Sequence, residues 1–437
     1  MVKAETESPK TETVTADLII SPIGELVTFE SKNSPVRKEA MTKPHRVKDA
    51  ALAVKDGKIV AVGKRSSVLG KVTKNDKTVC VDAKDRVVTP GFVDPHTHLI
   101  FGGNRANEFS MRCSGKSYAE IAKAGGGIVA SMRGTRNASK EELVESGRLR
   151  LERMMQHGTT TVEVKTGYGL DKESELRMLE AIFELDDSMP IDLIPTFMPA
   201  HAVPPGMDHK EYVEQVVEEI LPASLSTLES FGRKPQSIFV DVFCDEGYFT
   251  LEDTKRIFDK ALSLNMGLRV HSDEFKSLGA TALACEMKAA SADHLLTICD
   301  EDIDKLQASN TIAVLLPGTS FFLNLSEHAP ARKMIEKGAS VAVGSDFNPG
   351  SCHIFSMPMI MGLACLNLGL SAEEALCATT VNSAHAVGRG NTIGQLTDGY
   401  NADIVVWDLE TLEEIPYNLG WNAVSTTIKN GVIVHQR

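Results

Sequence analysis

The sequence is short of positive charge. Its 46 lysine and arginine residues stand against 59 aspartate and glutamate residues, which gives a formal net charge of −13. Binding to a nucleic-acid backbone depends on clustered Lys and Arg side chains that neutralise phosphates, so we expect no nucleic-acid partner. An anionic small substrate would need local positive charge, and Arg105 and Lys165 are the conspicuous candidates near the motifs described below.

Long apolar segments and paired cysteines are missing as well. No apolar run reaches membrane-spanning length, and the polar segment Met1–Asp17 lacks the apolar core of a signal peptide, so we expect neither feature. Residues 1–16 are instead interpreted as a mobile N-terminal tail. The eight cysteines show no metal-finger spacing, and several lie in apolar segments, which favours reduced, packed side chains. Together these features predict a cytoplasmic protein with no membrane partner.

Both ends of the chain have the pattern of β-strands. Apolar runs occur near the start of the chain at Ala16–Ile20 and Ala51–Gly63. Apolar runs of the same kind occur near its end at residues 402–407 and 424–434. Asp56-Gly57 and Asn430-Gly431 are turn signals between apolar runs. We therefore expect residues 17–87 and 390–437 to combine into one small β-sandwich.

The middle of the chain, residues 88–389, alternates between strand and helix patterns. Eight apolar, β-branched runs are separated mostly by helical stretches. The runs are Val87–Val93, Thr159–Val164, Ile191–Phe197, Ile238–Phe243, Leu268–Val270, Ala290–His294, Ile312–Leu316 and Val341–Val343. This count predicts an α/β fold with a TIM-like (β/α)8 barrel.

Polar side chains follow several of these runs. His96 and His98 are two residues apart, so in an extended segment both imidazoles point the same way. The pair alone is equally typical of metal ligands and of a hydrogen-bonded structural pair. His271, His294 and Asp346 also come just at or after apolar runs. Because the carboxyl ends of barrel strands meet at one face, the spacing predicts one shared site.

These residues and four further segments carry a resemblance to a known family. His96-x-His98, His271, His294 and Asp346, in that order, resemble the metal-dependent hydrolases of the amidohydrolase superfamily. Within it, the chain resembles the imidazolonepropionase family through Phe101–Phe109, Gly125–Gly127, Val162–Gly169 and Gly344–Gly350. The resemblance covers nearly the whole chain. It implies metal-dependent hydrolysis of the cyclic amide of 4-imidazolone-5-propanoate to N-formimino-L-glutamate, in histidine degradation.

The resemblance also implies a metal site. By motif match, His96, His98, His271 and Asp346 would hold one divalent ion, for which zinc is expected and iron fits the same ligands. Many relatives hold two metals bridged by a carboxylated lysine on the fourth barrel strand. The fourth predicted strand, Ile238–Phe243, contains no lysine, and a single-metal site is therefore favoured.

Three residues are candidates for catalysis. In the family, the position that matches Glu274 orients or deprotonates the attacking water; the alternative is a surface carboxylate. His294 would polarise the scissile carbonyl or relay a proton, and its alternative is a satisfied core histidine. Asp346 is a candidate for proton transfer as well as a ligand.

The substrate contacts rest mainly on the same match. Arg105 can clamp a carboxylate through two parallel hydrogen bonds. The other implied substrate-binding residues are Tyr168, His201, Asn348, Gly350 and Ser351. Taken singly, each would be more typical of a surface or packing role. The expected partners are a small anionic cyclic amide and a second copy of the chain in a homodimer.

Two other functions are alternatives to this one. A deaminase or another cyclic-amide hydrolase would be expected to lack the Lys165–Tyr168 and Asn348–Gly350 segments, which are present. A non-catalytic interaction protein on a degenerate scaffold would be expected to have lost ligands, and every ligand position is occupied.

Overall fold

The computed structural model describes residues 13–31, 33–116, 120 and 125–437. In chain order the strands are β1 (Val14–Thr15), β2 (Leu18–Thr28), β3 (His45–Lys55), β4 (Lys58–Lys64), β5 (Val72–Thr73), β6 (Val79–Val81), β7 (Val87–Pro90), β8 (Phe92–Asp94), β9 (Thr159–Lys165), β10 (Asp192–Ala200), β11 (Phe239–Cys244), β12 (Gly267–Ser272), β13 (Ser291–His294), β14 (Ile312–Leu315), β15 (Val341–Val343), β16 (Ile404–Trp407), β17 (Val424–Lys429) and β18 (Val432–Gln436).

The α-helices of the described residues are α1 (Arg65–Lys71), α2 (Ala106–Cys113), α3 (Ile128–Asn137), α4 (Lys140–Gln156), α5 (Lys172–Ser188), α6 (His209–Gln215), α7 (Leu221–Ser230), α8 (Leu251–Ser263), α9 (Ala280–Glu286), α10 (Asp300–Ala308), α11 (Pro317–Leu323), α12 (Ala331–Lys337), α13 (Met357–Leu368), α14 (Ala372–Thr379), α15 (Val381–Ala386) and α16 (Glu414–Tyr417). None of these helices is long and apolar enough to cross a membrane.

Strands β8 to β15 form one parallel sheet in sequential order. A parallel bridge between Thr97 and Phe347, just beyond the first and last of these strands, joins its two ends. Helices lie between successive strands, and β8, β9 and β15 are buried along their whole length. Burial on both faces explains why these strands have nearly continuous apolar sequences. The predicted (β/α)8 barrel is confirmed.

One predicted barrel strand is wrong. The run Val87–Val93 is divided at Gly91: β7 pairs with β16 and β2 in the sheet of the chain ends, and only β8 pairs with β9 in the barrel. At Gly91 the backbone passes close to Thr160, so that an added Cβ would lie 2.4 Å from both Cγ2 and Oγ1 of that side chain. The apolar run is continuous because both strands are buried, although they belong to different sheets.

The two chain ends meet in one sheet of order β18-β17-β16-β7-β2-β3-β4, with β6 paired to β2. The predicted turns at Asp56-Gly57 and Asn430-Gly431 are confirmed, and all four residues have positive φ, as tight hairpins require. One face of the sheet buries side chains from both ends in a single cluster, whereas the other face packs on α1.

The predicted domain limits stay predictions. Residues 1–12 of the predicted tail lie outside the described residues, and Val14–Thr15 pairs with β5.

We expect Gly91→Ala to lower the free energy of unfolding by about 1–3 kcal/mol, because the new methyl group must displace Thr160. Gly70→Ala is the matched control: nothing lies within 4 Å of its added Cβ, and alanine favours the helix there. Denaturant unfolding measures both. Adding Thr160→Ala should restore part of the loss. Wild-type stability in Gly91→Ala would contradict the close crossing.

Candidate active site

The predicted metal-binding residues meet at the carboxyl ends of the barrel strands. His96 and His98 follow β8, His271 lies within β12, and Asp346 follows β15. The loop after β8 is fixed to the loop after β15, because Asp346 N donates to His96 O (3.0 Å) and His98 N donates to Phe347 O (2.9 Å). The backbone at Asp346 has φ +50°, a left-handed conformation that is costly for a residue other than glycine.

The side chains present converging ligand atoms. One nitrogen from each of His96, His98 and His271 lies within 4.8 Å of the others, and all three residues are buried. Oδ1 of Asp346 is 3.6 Å from Nε2 of His96 and 4.0 Å from Nε2 of His98. Nε2 of His96 is buried and has no hydrogen-bond partner among the described residues. A buried nitrogen without a partner is costly unless an ion uses its lone pair.

Carboxylates behind the site set the tautomers of two of the histidines. Nδ1 of His96 is 2.7 Å from Asp293 Oδ2, and Nδ1 of His271 is 3.0 Å from Asp241 Oδ1. A proton held on Nδ1 leaves the Nε2 lone pair free for a metal. Burial lowers the pKa of His96 and of His98 well below the usual range, which keeps both rings neutral. Neutral imidazoles with a carboxylate fit a divalent ion such as zinc or iron.

Lys165 organises these carboxylates. Its Nζ is 2.8 Å from Asp241 Oδ2, 2.9 Å from Glu163 Oε1 and 3.7 Å from Asp293 Oδ2, and all four side chains are fully buried. Arg269 adds a second buried cation, 3.5 Å from Asp293. The suggestion that Lys165 provides charge for an anionic substrate is therefore wrong, because its ammonium group is already occupied within the barrel.

A cavity of about 540 Å³ lies above the ligand atoms. Every predicted site residue except His96 lines it: His98, Arg105, Tyr168, His201, His271, Glu274, His294, Asp346, Asn348, Gly350 and Ser351. His96 is fully buried beneath them. The structure thus brings together all the side chains that the sequence placed in one site.

Glu274 is a partly buried carboxyl group at the edge of the candidate ligand set, with 11% of its side chain exposed. Its Oε2 is 3.6 Å from Nδ1 of His294. Asp245 fixes the loop, because its Oδ2 accepts hydrogen bonds from Glu274 N (2.8 Å) and Phe275 N (2.9 Å). Burial, followed by the charges of Asp346 and Asp245, raises the pKa of Glu274 well above its usual range. The small exposed fraction of the side chain argues against the alternative of a surface carboxylate.

Tyr168 and His201 form the wall next to His98. The His201 ring stacks on the His98 ring with centroids 4.7 Å apart, and His201 Nδ1 is 3.0 Å from Gly167 O. Burial lowers the pKa of His201 to about 3. The segment that carries Tyr168 is held by Glu175, whose carboxylate accepts hydrogen bonds from the backbone N–H groups of residues 167, 169 and 170.

The loop after Asp346 is shaped by Asn348. Its Oδ1 accepts hydrogen bonds from Gly350 N (2.8 Å) and Ser351 N (2.7 Å), and its Nδ2 donates to Asp346 O (2.7 Å). Gly350 packs against Arg105 so closely that an added Cβ would lie 1.9 Å from Arg105 Nη1. A side chain at position 350 would therefore displace the Arg105 guanidinium from its present place.

Several functional residues were missed from the sequence. Asp241 and Asp293 support the histidines, and Glu108, Arg112, Phe243, Tyr248 and Phe275 line the cavity. The two aspartates left a detectable signal, because a carboxylate inside an apolar strand must have a buried partner. Phe243 lies near the end of β11, and the other four lie on loops or on α2, where the sequence pattern does not indicate which way a side chain points.

Comparison with known proteins agrees with this geometry. The chain matches the model of the amidohydrolase family over residues 79–129 and 120–435. It is 46% identical over 420 residues to the imidazolonepropionase of Symbiobacterium thermophilum, covering 96% of this chain and 97% of the relative. It is 42% identical over 421 residues to that of Bacillus cytotoxicus, with 96% and 97% covered. The chain belongs to the imidazolonepropionase family.

Solved structures support the fold. Guanine deaminase of E. coli superposes with a TM-score of 0.74 at 17% identity, covering 96% of this chain and 99% of the other. A zinc-bound adenosine deaminase from Xanthomonas campestris gives 0.71 at 17% identity, with 97% and 93% covered. The chain is thus a hydrolase of the imidazolonepropionase family on an amidohydrolase fold, and its histidine cluster supports metal dependence.

We expect Asp241→Asn to weaken metal binding by about 10- to 100-fold, because the neutral amide replaces the charged carboxylate that accepts the hydrogen bond from His271 Nδ1. Metal affinity is measured by competition with a chelator. The control, Asp253→Asn, removes the carboxylate of a similar pair with His209 outside the site (2.9 Å) and should leave affinity unchanged. Equal affinities in the two variants would contradict the role of Asp241.

Proposed function

We propose that this chain hydrolyses the cyclic amide of 4-imidazolone-5-propanoate to N-formimino-L-glutamate. The observation that carries the proposal is the convergence of the four candidate ligand residues and Glu274 at one cavity. The family membership reported above supports the choice of reaction. The likeness to deaminases is at 17% identity and supports the fold alone.

The ligand residues of the proposal are His96, His98, His271 and Asp346, and they would hold one divalent ion, zinc or iron. Such an ion, when bound, polarises a carbonyl and lowers the pKa of water. The complete pairing of Lys165 with carboxylates supports one ion rather than two bridged by a modified lysine.

The proton transfers are assigned to Glu274. Its raised pKa makes it a stronger base than an ordinary carboxylate, so it accepts a proton from the attacking water. The water oxygen bonds to the carbonyl carbon, the ring C–N bond breaks, and Glu274 returns the proton to the leaving nitrogen. His294, whose Nδ1 lies 3.6 Å from Glu274 Oε2, is assigned to polarise the carbonyl oxygen or to relay a proton. Asp346, whose pKa burial raises to about 6, is the second candidate for the base.

The remaining cavity residues are assigned to the substrate. Tyr168 and His201 provide a ring and a donor beside His98. Arg105, Gly350 and Ser351 lie together on another part of the wall, and Asn348 acts there by fixing the loop. We also propose a homodimer in the cytoplasm, and the eight free cysteines support a reducing compartment.

The test of this function is direct. Purified protein is incubated with freshly generated imidazolone propionate, the loss of its ultraviolet absorbance is followed, and the product is identified by mass. Formation of N-formimino-glutamate at a rate that scales with metal content is the expected result. Absence of turnover in metal-loaded, folded protein would reject the proposal.

We expect Glu274→Gln to retain the metal and to lower kcat by about 100- to 10,000-fold, with a smaller change in KM, because the amide cannot accept a proton. Glu246→Gln is the matched control, since this exposed carboxylate pairs with Lys276 at the surface. Elemental analysis and steady-state kinetics are the measurements. Loss of metal in Glu274→Gln would show that Glu274 is a ligand. An unchanged kcat would show that the base is His294 or Asp346.

A further inference from the structure

The outer part of the cavity contains two arginines with different surroundings. Arg105 is neutralised by Glu108: its Nε lies 2.9 Å and its Nη2 lies 2.8 Å from Glu108 Oε2. Gly127 N also donates to this carboxylate (3.1 Å). Two of the nitrogens of Arg105 therefore already have an anionic partner, which lowers the capacity of this residue to bind a second carboxylate.

Arg112 has no such partner within the described part of the chain. It lies on α2, one turn after Glu108, and no carboxylate of the described residues forms an ion pair with it. Its Nη1 is 3.4 Å from Gly350 O, and its Nη2 is buried without a hydrogen-bond partner among the described residues. A buried guanidinium nitrogen without an acceptor is unfavourable, and an incoming anion would relieve this cost.

The position of Arg112 is nevertheless well defined. Its guanidinium lies 5.7 Å from the ring centre of Phe109 and 5.1 Å from that of Phe322, within the range of cation–π contacts. Arg105 and Arg112 both contact Gly350, one at the Cα side and one at the carbonyl oxygen. Burial, followed by the positive charge of Arg105, lowers the pKa of Arg112. An anion beside them would be stabilised by both charges.

We propose that Arg112 is a specificity-determining residue that pairs with the carboxylate of the substrate side chain. The proposal rests on the proposed function, in which the substrate is a cyclic amide with a propionate group. The metal-binding residues are at the floor of the cavity and the unpaired guanidinium is on its wall beside Gly350. A substrate with a reactive ring at one end and a carboxylate at the other fits this distribution of charge. Arg105, held by Glu108, then supports the same carboxylate from the side.

The test compares two substrates, imidazolone propionate and its uncharged methyl ester, in wild type, Arg112→Gln and Arg112→Lys. Loss of a charge-assisted hydrogen bond predicts a fall of about 10- to 100-fold in kcat/KM of Arg112→Gln for the carboxylate, mainly through KM. The ester should be affected little, so the preference for the carboxylate disappears. Arg112→Lys should keep part of that preference, because it retains the charge without the planar fork.

Arg256→Gln is the control, because Arg256 is an exposed guanidinium on α8 that pairs with Glu214. It should leave the ratio of the two substrates unchanged. If the ratio of kcat/KM for the two substrates were unchanged in Arg112→Gln, the proposal would be overturned. An equal fall in kcat/KM for both substrates in both Arg112 variants would also overturn it, because that result would indicate a structural role for Arg112. If the wild type hydrolysed neither of the two substrates, the proposed function itself would be rejected.

Discussion

The site depends on a group of buried charges inside the barrel. Lys165 contacts Glu163, Asp241 and Asp293, and Arg269 contacts Asp293 from another side. Each charge would be unfavourable alone in this interior, so the group is stable only when it is complete. Asp241 and Asp293 also form hydrogen bonds with Nδ1 of His271 and Nδ1 of His96, respectively. The orientation of the ligand nitrogens is therefore set one layer below the cavity.

The closure of the barrel supplies the second constraint. The loop after β8 carries two histidines and the loop after β15 carries Asp346, so these candidate ligands come together only if the first and last strands meet. Besides the bridge at Thr97 and Phe347, Asp94 accepts hydrogen bonds from the N–H and the hydroxyl of Ser345. Burial raises the pKa of Asp94 to about 7. The arrangement of the candidate ligands and the closure of the barrel thus depend on the same contacts.

Sequence patterns predicted what depends on local chemistry. Turn residues predicted both hairpins, and the polar residues after several apolar runs predicted one shared site, whereas the choice of candidate ligands came from the family resemblance. Gly91 was missed as a boundary because β7 and β8 are equally buried, and periodicity does not tell which sheet a strand joins. Lys165 was misread because its partners Asp241 and Asp293 are distant in the sequence. No sequence pattern distinguishes Arg112 from Arg105 as a candidate for substrate binding. Only the fold shows that Glu108 pairs with Arg105 and not with Arg112.

The central claim is that the buried charges, and not the ligands alone, create the metal site. The most direct measurement is the metal affinity of Lys165→Met, determined by chelator competition at a temperature where circular dichroism shows the variant folded. All four ligand residues remain in this variant, but Asp241 and Asp293 lose their common cation. The account predicts an affinity at least about tenfold below wild type. Wild-type affinity and full metal content in folded Lys165→Met would contradict it.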